Sequence, residues 1–196
     1  MKTKIYLSLT LVFALSILSG CMTHKVERVD TKEAIDLSGR WNDTDSRLVA
    51  EEMVNQILGG AWIDNHLQST GNKPVVVVGL IYNKSHEHIS AETFIKDVER
   101  AFINSGRVRL VQAGDKREEL RKERAAQQEF ASMATAKQWG QELGADFMLN
   151  GDINSIVDTY KKERVNFYKV NLELSNLETN EVIWIGDKEI KKYITK

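Results

Sequence analysis

The chain has 196 residues, with 27 basic and 28 acidic side chains, a formal net charge of −1 and one cysteine. That balance offers no field for nucleic acid, and a lone cysteine excludes an internal disulfide framework. The length suits one domain whose core suffices without staples.

The first segment in chain order reads as a leader. Met1 to Lys4 carries Lys2 and Lys4, and Ile5 to Ser19 is almost wholly apolar. This run is shorter than the ~20 residues a bilayer-spanning helix needs. A basic start, a short apolar stretch and small residues before a cut site predict a secretory signal over residues 1–20. Leu18-Ser19-Gly20-Cys21 makes the cut site a lipobox, so that cleavage leaves Cys21 first in the chain and acylated on both sulfur and amine. Two or more acyl chains hold a protein on a bilayer durably where one does not. Met22 stands where an aspartate would signal retention in the inner membrane, so the expected location is the periplasmic face of the outer membrane.

Thr23 to Ile35 is polar, charged and aperiodic, and residues 21–35 read as a lipidated N-terminus with a short tether. About 15 residues span at most ~50 Å when stretched and ~20 Å as a flexible coil. A domain over residues 36–196 therefore stays near its membrane.

Asp43-Thr44-Asp45-Ser46 supplies helix-capping side chains, and Ala50, Met53, Val54, Ile57, Leu58 and Ala61 recur behind it at helical spacing. Gly59-Gly60 ends or bends that helix, and Trp62 to Leu67 is read as a further turn. Pro74 then opens Val75 to Ile81, a strand with no polar face, which requires cover on both sides. Ser90 caps a helix with Ala91, Phe94, Ile95, Val98, Ala101 and Phe102 on one stripe, stopped at Asn104-Ser105-Gly106. Val108 to Val111 is a short strand. From Asp115 to Arg124 every residue except Leu120 is charged, which predicts a solvated helix face, with Asp115 and Glu118 spaced as a capping box. That helix is expected to continue to Leu143, with a break near Ser132. The last third alternates: Phe147, Leu149, Gly151 and Ile153, then Tyr168, Val170, Leu172 and Leu174, then Ile183 and Ile185. Glu178-Thr179-Asn180 is the hairpin turn between the last two strands. The predicted class is α/β, a mixed sheet with helices packed on its faces.

Catalytic signatures are missing from the sequence. It contains no Gly-x-Ser-x-Gly elbow, Ser-x-x-Lys, phosphate loop or His-Glu-x-x-His. His86-Glu87-His88 could offer two imidazoles to a metal, but no third ligand is spaced to match, so a solvated loop is the expectation. Asn42-Asp43-Thr44-Asp45 resembles a calcium loop only until Leu48, where glycine would be needed. The segment that stands out is Asp36-Leu37-Ser38-Gly39-Arg40-Trp41-Asn42-Asp43. Trp and Arg dominate binding hot spots, which makes Arg40 and Trp41 candidate partner contacts. The blander account has Trp41 packing as a plug and Arg40 pairing locally. The charged helix from Asp115 to Arg124 is the rival surface.

That segment, continued as Thr44-Asp45-Ser46-Arg47-Leu48-Val49-Ala50-Glu51-Glu52-Met53, resembles the LpoB-type penicillin-binding protein activators. Gly144 to Gly151 and Leu172 to Lys192, with Leu177-Glu178-Thr179-Asn180-Glu181-Val182-Ile183-Trp184, look like the family's later blocks. The resemblance runs from Asp36 to Lys196. It implies a non-catalytic outer-membrane lipoprotein with a fold similar to the N-terminal domain of TolB. No cofactor or metal is expected, and the domain is expected to be a monomer. Its implied partner is a bifunctional class A penicillin-binding protein, whose glycan polymerisation and peptide cross-linking it stimulates. The well-described activators carry a long proline-rich tether, whereas this chain has a short one and a single proline, Pro74. The alternative is a structural lipoprotein that holds another outer-membrane or peptidoglycan-associated component.

Overall fold

The computed structural model describes residues 26–130 and 142–195. The expected leader, Cys21 and the expected helix break near Ser132 lie outside them.

Helix α1 (Asp43–Leu58) begins at Asn42, one residue before the predicted capping cluster. The Asn42 side chain accepts the Asp45 amide at 3.0 Å, and the Asp45 carboxylate accepts the Asn42 amide at 3.0 Å. This reciprocal cap satisfies two backbone donors that a helix start leaves orphaned. Val49, Met53 and Ile57 are fully buried on its inner stripe. Trp62 to Leu67 is more than a turn: it lies in a nine-residue helix, α2 (Trp62–Thr70), whose first indole donates to the Ile57 carbonyl at 2.8 Å.

Strand β1 (Val75–Asn83) leads through helix α3 (Ala91–Ser105) to the short strand β2 (Arg109–Val111), and helix α4 (Gly114–Phe130) follows. As predicted, the Ser90 hydroxyl caps α3 and Gly106 closes it in the left-handed region. Three long strands complete the chain: β3 (Phe147–Tyr160), β4 (Glu163–Asn176) and β5 (Val182–Thr195).

The sheet order is β2-β1-β3-β4-β5, with β1 parallel to both neighbours and β3, β4 and β5 antiparallel. Val76, Val78, Leu149, Ile153, Tyr168, Val170, Leu172 and Leu174 meet the inner stripes of α1, α2 and α3 in one core. Val75 and Val77 point to the opposite face and are buried as well, so β1 starts out covered on both sides. The expectation of cover along its whole length fails past Val78, where Leu80 and Tyr82 are exposed. The physical reason is that β2 pairs only with Val75 to Val77, and the β1–β3 register shifts between Val78 and Ile81. Gly151 is required where β3 crosses β4, because a Cβ there would lie 2.3 Å from the Asn171 carbonyl oxygen.

Candidate functional site: a strapped corner beside the β3–β4 turn

Asp36 to Asn42 forms a strap that crosses the ends of β4 and β5 before α1 begins. Local chemistry shapes it first. The Asp36 carboxylate accepts the Gly39 amide at 2.8 Å, and Gly39 takes a left-handed φ of 66°. A side chain at position 39 would be strained by that φ and would also strike Ile194.

Three elements then hold the strap down. Asn166 on β4 is fully buried and donates its amide to the Gly39 carbonyl at 2.7 Å. Lys192 on β5 reaches Asp36 at 2.7 Å, Asp45 at 2.5 Å and the Arg40 carbonyl at 2.9 Å. Burial opposes the Lys192 charge, yet the hydrogen bonds to Asp36 and Asp45 outweigh it and raise its pKa. The same ammonium holds the Asp36 carboxyl below the usual carboxylate value, against a smaller effect of burial. Glu87, in the loop after β1, accepts the Trp41 amide at 3.1 Å and the Tyr168 phenol at 2.9 Å. Burial and the Glu87 carboxylate together push the Tyr168 phenol well above its ordinary value.

Trp41 is half-buried and meets Tyr168 edge-on, with ring centroids 5.6 Å apart. Arg40 points outward and is exposed. The two sequence-predicted residues thus sit side by side with different surroundings: an indole embedded at the core's edge and a free guanidinium. His86 bridges the Ser155 hydroxyl at 2.5 Å and Glu87 at 3.4 Å. Among the described residues no three His, Cys, Asp or Glu side chains are placed to hold a metal. On α4, Arg121 pairs with Glu118 and, through two nitrogens, with Glu142, while Arg124 also reaches Glu142. Two of the cations on that rival surface, Arg121 and Arg124, are therefore charge-compensated.

Sequence reasoning did not find Glu87, Asn166 or Lys192 as parts of this corner. Asn166 precedes the inward series Tyr168, Val170, Leu172 and Leu174 by one period, and Lys192 follows Ile190 in the same way. A polar residue in an inward slot needs a buried partner, and that was the available signal.

A family model described as the peptidoglycan-synthase activator LpoB matches residues 45–190. The match begins just after the strap and ends before Lys192. No curated protein sequence matches the chain. Among solved structures, the chain is similar to the LpoB C-terminal domain from Escherichia coli at 17% identity and a TM-score of 0.46, covering 76% of this chain and 99% of that one. The LpoB C-terminal domain from Salmonella enterica is similar at 16% identity and 0.43, with the same coverage. Lipoprotein GNA1162 from Neisseria meningitidis is similar at 13% identity and 0.40, covering 61% and 83%.

Proposed function

The chain belongs to the family of LpoB-type peptidoglycan-synthase activators, and from that premise we propose that it binds a class A penicillin-binding protein and raises its output. The family's role is regulatory, so the protein acts by contact rather than by chemistry of its own. In this reading it is a monomeric lipoprotein, triacylated at Cys21 and held on the periplasmic face of the outer membrane. The observation that carries the reading is the family match across residues 45–190, which spans α1 through most of β5.

Arg40 and Trp41 form the proposed contact. Arg40 brings an exposed guanidinium, and Trp41 fixes the strap beneath it through its edge contact with Tyr168. Truncating an interface anchor costs at least ~2 kcal/mol, a roughly 30-fold loss of affinity. The experiment is a titration of the chain against the non-catalytic region of a class A synthase from the same cell, with glycan polymerisation and cross-linking followed in parallel. Wild type should bind and stimulate. Trp41→Ala and Arg40→Ala should each weaken binding, with circular dichroism reporting that the variants stay folded. Unchanged affinity in both variants removes the corner from the contact.

The short tether favours a second reading. A reach of at most ~50 Å suits a partner close to the outer membrane, and a scaffolding lipoprotein that holds such a component would need no more. Absence of binding to every class A synthase of the cell would select it.

A further inference from the structure

The strap and the β3–β4 turn meet at one pole of the domain, around a cleft of about 680 Å³. Arg40, Lys161, Lys162 and Arg164 line it, and Glu163 is the one carboxylate among its described lining residues. Glu163 is already engaged, since it hydrogen-bonds the Tyr193 phenol. Neither Arg40 nor Lys162 has an ion-pair partner among the described residues, and Lys161 lies over the Tyr160 ring at 5.1 Å. This contrasts with α4, where Arg121 and Arg124 are paired with glutamates. The sequence hides the cluster because Arg40 and Lys162 are far apart along the chain; only the closure of the sheet brings them together.

The same pole carries apolar groups that the fold does not use. Leu37 is 94% exposed and Tyr160 is 68% exposed. An exposed leucine and tyrosine among unpaired cations match the interfacial zone of a bilayer, where amphipathic rings sit at headgroup level and basic side chains meet anionic lipid.

We infer that this pole, built from Leu37, Arg40 and the Tyr160–Arg164 turn, is a docking surface for anionic phospholipid headgroups. What selects a membrane as the occupant is where the chain joins the domain. The compact unit starts at Ala34, three residues before Leu37. Any surface to which the N-terminal segment is fixed is therefore presented to this pole first, and a tether of about 15 residues gives it a high effective concentration there. The inference goes beyond synthase binding and shares with that reading the anchor at Cys21 and the Arg40 side chain. Because Arg40 belongs to both surfaces, a docked domain has its proposed synthase contact covered, and the two states exclude one another.

The test uses the unacylated chain from Met22 onward, which keeps every described residue, co-sedimented with phosphatidylglycerol vesicles and with phosphatidylcholine vesicles. Binding without the lipid separates docking from anchoring. The chain should partition onto phosphatidylglycerol and far less onto phosphatidylcholine. A cation near an anionic surface is worth roughly fivefold in partitioning, so Lys161→Gln with Lys162→Gln should lower it roughly 25-fold. Leu37→Ser should lower it further, while Lys116→Gln with Lys122→Gln on α4, an equal loss of charge, should leave it unchanged. Equal binding to both vesicles overturns the inference, as does an equal loss from the α4 pair. Pole variants that still bind vesicles but no longer bind the synthase would assign the pole to a protein contact and overturn it too. Failure of vesicle binding alone leaves the synthase reading standing.

Discussion

Substituting Lys192 by Met removes the cation that Asp36 and Asp45 share, and with it the donor to the Arg40 carbonyl. The Lys192 and Asp45 side chains are each only 11% exposed, while that of Asp36 is 41% exposed. Asp36 can therefore turn to water, but Asp45 stays largely buried with the Asn42 amide as its main remaining donor. Stripping one partner from a buried pair typically costs about 3–5 kcal/mol. The retained cap bond and the good fit of Met to the lysine stem place this case just below that range, at about 2–3 kcal/mol. For a domain of this size each kcal/mol lowers Tm by roughly 2–4 °C, so a fall of roughly 4–12 °C is expected by calorimetry. Asp45→Asn added to Lys192→Met should recover part of the loss, because the unpaired charge is then gone. A Tm within ~2 °C of wild type for Lys192→Met, or a double variant no better than the single, would refute the buried-pair account.

The same cluster sets a pH window. The lowered Asp36 pKa contributes stability above its ordinary value of 3.8, lost as pH falls through the lowered folded value. The raised Lys192 pKa contributes stability below 10.5, lost as pH rises through the raised folded value. Denaturation midpoints should therefore fall at both extremes, and Lys192→Met should flatten the alkaline limb. Val77→Asp should prevent folding, since position 77 is 3% exposed between β2 and β3 and an unpaired charge there has no partner; soluble yield and circular dichroism check it. Cys21→Ser should keep the protein out of outer-membrane fractions, and recovery there at wild-type levels would defeat the lipobox reading.

The parts of the fold legible in the sequence are those where side-chain period and punctuation agree. Ser90 and Gly106 bracket α3, and Phe147 to Ile153 and Tyr168 to Leu174 alternate cleanly. The stretch between them was illegible because the β3–β4 turn is Lys161-Lys162, with Lys161 in the left-handed region and no Gly or Asn to announce it. Its flanking residues are polar or exposed, so the strand period fades before the turn. The strap was legible as a segment of unusual composition but not as an assembly. Glu87, Asn166 and Lys192 come from three separate elements, and nothing local pairs them with Gly39, Arg40 or Trp41.

The strap's fastenings also have a mechanical order. A pull on the chain ahead of Asp36 meets the Asp36–Lys192 contact first, then the bonds at Gly39 and Arg40, then the Trp41–Glu87 bond. Contacts loaded one after another peel at lower force than the fourteen-residue ladder between β3 and β4, which shares a load across many bonds at once. Peeling Asp36 to Trp41 frees six residues and adds at most roughly 20 Å of contour at ~3.3–3.6 Å per residue. A force–extension trace should show that step ahead of global unfolding, and its absence would mean that strap and core yield together. If the chain is held at Cys21 as proposed, the strap would serve as reserve line, paid out under tension and rewound when the tension drops.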